Sequence, residues 1–431
     1  DSAGQAGAIY VFARSGATWS QQAYVKASNT EAADTFGSSV SLSRDGSTLA
    51  VGADEEASAT TGVNNGGQGD NSANDAGAAY VFTRGGGTWS QQAYFKASDT
   101  GEFDRFGSSV SLSGDGSTLA VGAFKEDGGT TGINNDAGDN SADRSGAVYV
   151  FSQDGGTWSQ QAYIKASNTD SDDRFGTSLA LSNDGSALAV GAPREDSAST
   201  GVNTGSQGDN NGVRAGAAYL FTRGGGTWSQ QAYVKASNTE ADDRFGARVA
   251  LSGDGSTLAV GARKEDSATT GVNAGGQDDN SADGAGAVYV FSQNGGTWSQ
   301  QAYAKASNTE GGDNFGFSVA LSRDGSTLAV GAEKEASAIT GINAGDQDNN
   351  SEVGAGAAYV FTRAGGTWSQ QAYVKASNTQ KNDLFGTSAA LSGNGSILAV
   401  GAPSEDSATT GVNAGGQSDG SAGNAGAVYL Y

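Results

Sequence analysis

The run SSVSLS, Ser38 to Ser43, alternates small polar and apolar residues, which is the period of a strand with one buried face. After Arg44-Asp45-Gly46-Ser47 comes a second run, TLAVGA, from Thr48 to Ala53. Asp-Gly between two such runs signals a hairpin, because both central positions of the tightest hairpin turn take positive φ. The signal recurs as Asp115-Gly116, Asp184-Gly185, Asp254-Gly255 and Asp324-Gly325, with Asn394-Gly395 as the sixth. A third run, GAAYVF from Gly77 to Phe82, ends at glycines 85–87, and a fourth, WSQQAYFKA, spans Trp89 to Ala97. Counted by twos from Trp89, the apolar residue before Lys falls on the tryptophan's face; it is Phe95 here and Val25, Ile164, Val234, Ala304 and Val374 elsewhere. No stretch of about a dozen residues carries a helical apolar period.

These runs come in copies. Tryptophan falls at 19, 89, 158, 228, 298 and 368, and Phe-Gly at 36, 106, 175, 245, 315 and 385. Constant spacing means that one supersecondary unit was duplicated. The pattern predicts an all-β protein, a β-propeller of four-stranded antiparallel blades with six blades favoured. Residues 1–431 form one propeller domain of six repeats, each about 70 residues long.

One strand is in excess. GAIYVF opens the chain at Gly7 to Phe12, and GAVYLY closes it at Gly426 to Tyr431. The third strand therefore occurs seven times and the other three six times, 25 in all, where six closed blades need 24. Three arrangements accommodate it: a segment of a longer protein, such as part of a seven-bladed ring; a displaced terminal copy; or strand exchange with another subunit, which makes a homo-oligomer through terminal strands.

The run FGSSVSLSRDGSTLAVGA resembles the FG-GAP repeat of integrin α-subunit propellers and their bacterial relatives. Val-Gly-Ala-Pro stands in full at Val190 to Pro193 and Val400 to Pro403, and the likeness covers essentially the whole chain. It implies a propeller with an extracellular binding or adhesion role. Calcium-binding members of that family carry a longer acidic loop between the first two strands. Here that link has shrunk to Asp-Gly, so Asp45 and its counterparts read as turn residues.

Composition narrows the function. Formal charge is −23, with 24 basic and 47 acidic residues, which disfavours nucleic acid and anionic membrane as partners. There is no run of apolar residues long enough for membrane insertion. With neither His nor Cys, imidazole-based triads and thiol nucleophiles are impossible, and no acid pair stands out from its counterparts, so the chain is expected not to be an enzyme.

Chemistry then concentrates in the loop between second and third strands, such as Asp54 to Ala76. It carries Glu56, Glu126, Glu195, Glu265, Glu335 and Glu405. Asn64, Asn134, Asn203, Asn273, Asn343 and Asn413 follow, then Asp70, Asp139, Asp209, Asp279, Asn349 and Asp419. Carboxylate, amide and carbonyl oxygens on a Gly-rich loop suit calcium, so these are the candidate metal ligands; the competing reading is that they shape turns. Asp34, Asp104, Asp173, Asp243, Asp313 and Asp383 precede Phe-Gly and read as acceptors that fix the turn into the first strand. The Lys of the fourth strand is expected to lay its stem along apolar surface with its charge in water.

The resulting expectation is a non-enzymatic, secreted, extracellular propeller for adhesion or protein recognition, stabilised by calcium, with a protein or cell-surface partner. Two alternatives stand beside it. One is a self-assembling subunit of a surface filament or matrix. The other is a lectin-like carbohydrate binder, which needs an exposed aromatic in every repeat.

Overall fold

The computed structural model describes residues 4–413 and 415–431. Among them are 25 strands and no helix, so the fold class is the all-β propeller type anticipated from the repeats. The chain divides into two compact units, Asp1–Glu195 with Tyr219–Gln231, and Asp196–Ala218 with Ala232–Tyr431.

A complete blade is an antiparallel meander: Ser39–Leu42, Thr48–Ala53, Ala78–Gly85 and Thr88–Phe95. Five sheets have four strands. The surplus strand is resolved by a two-stranded sheet, Ile9–Ser15 with Thr18–Val25, and a three-stranded one, Ser388–Leu391, Leu398–Ala402 and Ala427–Leu430.

Two local readings change. The Asp-Gly link is longer than two residues, running from Ser43 to Ser47 between the strands. Only Gly46 has positive φ, +69°, with its N–H donating to the Ser43 carbonyl at 2.9 Å; Asp45 is not left-handed. This is a turn closed by one left-handed glycine, a longer hairpin class. In the fourth strand Gln91 pairs with Phe82 and Ala93 with Val81, leaving Gln92 as a bulge. One extra residue reverses the alternation, so Trp89 and Phe95 lie on opposite faces. Phe95 packs edge-on against Trp158 of the following repeat at 5.5 Å, while Trp89 joins the cluster of Tyr94 and Phe82.

The motif glycines are explained by close approach. A Cβ on Gly52, the glycine of Val-Gly-Ala, would lie 1.9 Å from the carbonyl oxygen of Gly107, the glycine of the next Phe-Gly. Ser39 Oγ donates to that same carbonyl at 2.7 Å. The two motifs are the two sides of one backbone contact between successive repeats.

Candidate functional site

The recurring glutamates of the long loop do not face water. Glu56 is 1% exposed, and both its oxygens are engaged. Oε1 accepts from Asn29 Nδ2 at 3.0 Å and Tyr94 Oη at 2.9 Å. Oε2 accepts from Ser58 N at 3.1 Å and Lys96 Nζ at 2.9 Å. Tyr80 Oη donates to Asn29 Oδ1 at 2.6 Å, extending the chain of bonds. The network recurs as Glu126 with Tyr163 and Lys165, Glu265 with Asn238, Tyr303 and Lys305, and Glu335 with Asn308 and Lys375. Glu195 and Glu405 accept from Asn168 and Asn378.

The Lys expectation is therefore corrected: Lys96, Lys165, Lys305 and Lys375 bury their charge as well as their stem. Burial pulls the Lys96 ammonium below its ordinary range, and the facing Glu56 carboxylate opposes that. Buried charge is tolerated only when paired and hydrogen-bonded, which is the condition met here.

The loop Asn has a different task. Asn64, Asn134, Asn203, Asn273, Asn343 and Asn413 all have φ between +50° and +57°. Asn64 N donates to the Tyr94 carbonyl at 2.9 Å, and Tyr94 N donates to Asn64 Oδ1 at 2.9 Å. Asn is the non-glycine residue best suited to that conformation, and its amide imitates a strand neighbour. The third loop position closes its own turn: Asp70 Oδ1 accepts from Ser72 N at 3.2 Å, as Asp139 Oδ1 does from Ser141 N and Asn349 Oδ1 from Ser351 N. Asp209 and Asp419 do the same with Asn211 and Ser421, and Asp279 N donates to the Gly276 carbonyl.

These three positions do not fit calcium. Glu56 meets Tyr94 at its phenol and Asn64 meets it at its backbone N–H, at opposite ends of the residue, so their oxygens do not converge. Among the described residues no group of three or more acidic side chains is placed to hold a metal ion. The turn-forming alternative is what the geometry supports.

Asp34 and its counterparts act as turn acceptors. Asp34 Oδ2 accepts from Glu31 N at 2.8 Å, and Asp104, Asp243, Asp313 and Asp383 repeat the bond. Asp173 accepts from Asp170 N at 2.9 Å. Burial raises these carboxyls: Asp34 and Asp383 to about 6, Asp104 to about 7, Asp243 and Asp313 to about 8. Asp45 instead is lowered to about 2 by hydrogen bonds from Ser43 and Ser47, as a turn residue would be. Trp158, Trp228, Trp298 and Trp368 are buried, which removes the exposed aromatic that a lectin-like site needs.

What differs between repeats gathers where the second strand ends and Phe-Gly begins. The residue before Phe-Gly is Thr35, Arg105, Arg174, Arg244, Asn314 or Leu384, and residues after Gly-Ala vary equally. In the first unit these cations are matched by acids: Arg105 Nη2 lies 2.8 Å from Asp75 and also pairs with Glu55, and Arg174 Nε lies 3.1 Å from Asp172, which also takes Arg194. Six near-identical repeats thus do contain individual surfaces. Aligning the copies and marking their mismatches is the sequence signal that finds them.

The family model of the FG-GAP repeat matches residues 19–82, 89–151, 158–221, 228–291, 298–361 and 368–431. No curated protein matches the chain in sequence. Among solved structures it is similar to the periplasmic gluconolactonase PpgL of Pseudomonas aeruginosa, with 16% identity, a TM-score of 0.49, and 92% of this chain and 85% of that one covered. A protein of Bacteroides uniformis described as a 6-phosphogluconolactonase gives 13% identity, a TM-score of 0.49 and the same coverages. The β-propeller domain of Cps50 (Swd1) from Myceliophteria thermophila gives 9%, 0.47, 88% and 83%. The expectation that the chain is not an enzyme does not stand, since enzymes are among the proteins it is similar to.

Proposed function

The chain belongs to the FG-GAP repeat family, and on that premise we propose that it is an extracellular recognition or adhesion propeller that engages a protein or cell-surface partner through its repeated long loops. The observation that carries this reading is a division of labour within each repeat. The Glu, Lys and Tyr of the repeat are consumed in a buried network, while the Gly-rich loop tips stay exposed at 64–67, 134–136, 203–206 and 273–276. Several similar tips on one chain favour multivalent contact, in which weak sites add to a strong attachment. The test is adhesion of the immobilised chain to purified matrix and surface proteins. Replacing the exposed acids Asp136, Asp278 and Asp348 by Ser weakens binding stepwise while leaving the melting point unchanged. Binding that ignores all three replacements would overturn the reading.

A second reading, docking of a further FG-GAP repeat from a second copy, is favoured by the terminal repeats. Tyr10, Tyr24 and Phe12 are 59%, 56% and 41% exposed, whereas their counterparts Tyr80, Tyr94 and Phe82 are at most 4% exposed. Val428 is 71% exposed against 0% for Val288. Each Lys of the network pairs with the Glu of a loop some 40 residues earlier, as in Lys96 with Glu56. Lys26 and Glu405 are the two halves left without such a mate among the described residues. Sedimentation measures this directly: association that rises with concentration is abolished by Lys26→Glu and restored by Lys26→Glu with Glu405→Lys. A monomer at every concentration would remove this reading and leave the first intact.

A further inference from the structure

The second unit gathers positive charge around the Phe317 ring. Arg248 stands on the strand Phe245–Leu251 where the other five copies have Ser39, Ser109, Ser178, Ser318 and Ser388. Phe317 stands on Phe315–Leu321 where the others have Ser, Thr or Ala. These two departures meet. The guanidinium carbon of Arg248 lies 5.5 Å from the centre of the Phe317 ring, and that of Arg263 lies 5.3 Å from it. Two guanidinium groups on one aromatic ring repel each other in the absence of a shared anion, while each is attracted to the face of the ring.

Lys264 adds a third charge. Its ammonium lies over Gly284, where a Cβ would come within 3.1 Å of Nζ; the corresponding position is Asp75 or Arg144 in the first unit. Burial and then the neighbouring charges of Lys334, Arg244 and Arg263 hold Lys264 below its ordinary range. Asp283 and Glu333 are the nearby acids that act on Lys264 and Arg248. Glu333 already accepts from Asn314 Nδ2 at 3.3 Å and Thr387 Oγ1 at 3.4 Å. Among the described residues Arg244, Arg248, Lys264 and Lys334 make no ion pair, and Arg244 Nε is buried without a hydrogen-bond partner. In the first unit Arg105 and Arg174, which align with Arg244, and Arg194, which aligns with Lys264, are paired with carboxylates.

We infer that Arg248, Arg263, Lys264 and the face of Phe317 form a site for a multiply charged oxyanion, sulfate or phosphate, taken either free or as an ester on a sugar polymer. Planar guanidinium forks suit tetrahedral oxyanions, and the ring supplies an apolar wall beside them. The site attracts anions on a chain whose formal charge is −23, so its field is local and is screened by salt.

The test is calorimetric titration of the whole chain at low ionic strength with inorganic sulfate, inorganic phosphate and a sulfated tetrasaccharide. Heat of binding is read directly, because sulfate also raises melting points by exclusion from protein surfaces. Binding of at least one probe is expected, and it weakens at least tenfold in Arg248→Ser with Phe317→Ser. That variant restores residues other repeats carry at those positions, so it keeps the fold; Lys264→Ser is the second variant, with the same expected loss. Uptake of the inorganic ions alone assigns the free anion, and uptake of the tetrasaccharide alone assigns the ester. Lys125→Ser, in the first unit, leaves affinity within twofold. No binding of any probe, binding unchanged in both variants, or an equal loss in Lys125→Ser would overturn the inference.

Discussion

Lys96 Nζ lies 2.9 Å from Glu56 Oε2, and each side chain is 1% exposed. The pair joins the start of a long loop to the residue that directly follows the fourth strand of the same blade, 40 positions later in the chain. Removing one partner strands the other charge in a buried site. Lys96→Met is expected to cost about 3–5 kcal/mol in chemical denaturation. Lys96→Met combined with Glu56→Gln recovers most of that loss, because no charge remains buried. Equal stability of the single variant and the parent would refute a buried ion pair.

The Asn of Thr-Gly-Val-Asn is expected to be separable into two contributions. Asn273→Gly keeps the left-handed backbone but deprives Tyr303 N of the acceptor 2.8 Å away, a loss of about 1–3 kcal/mol. Asn273→Ala adds a left-handed Cβ and costs about 1–2 kcal/mol more. If alanine and glycine behave alike, the conformational part of this account is wrong.

Much of this was legible in the sequence, and the losses have physical causes. The repeat, the four strands and the count of 25 followed from alternation and turn residues. Trp89 and Phe95 were assigned one face because a bulge at Gln92 leaves no mark on composition. Glu56 looked like a calcium ligand because a buried carboxylate and a metal-binding one share a residue type. What separates them is Lys96, far along the chain and read as solvated. Arg248 and Phe317 depart from the repeat, and a recurring pattern carries no sign of its own departures.

Close approach between repeats predicts a pair of glycine variants. Gly52→Ala places a Cβ 1.9 Å from the Gly107 carbonyl oxygen and is expected to cost about 1–3 kcal/mol or more. Gly69→Ala meets nothing within 4 Å and leaves stability within about 0.5 kcal/mol. Comparable losses at both sites would remove the steric explanation of the motif.

The buried aspartates set a pH dependence. Asp243 and Asp313 titrate at about 8 when folded, because burial disfavours their charged form. Unfolded, they titrate near 4. Between those values the folded state holds more protons, so stability falls as pH rises through the window and is greatest at its acid end. Denaturation midpoints are expected to climb from pH 8 to pH 5. Asp313→Asn, which keeps the acceptor for Glu310 N, flattens part of that slope. A slope untouched by Asp313→Asn would assign the effect to general charge repulsion instead.

The loop oxygens are spent on the protein's own donors. The most direct test of this is the thermal midpoint in excess calcium against excess chelator. A native-state ligand must raise the midpoint, because it stabilises the fold by RT ln(1 + [L]/Kd). Identical midpoints are the predicted result. A rise of several degrees with calcium, abolished in Glu265→Gln and Asp279→Ser, would contradict it.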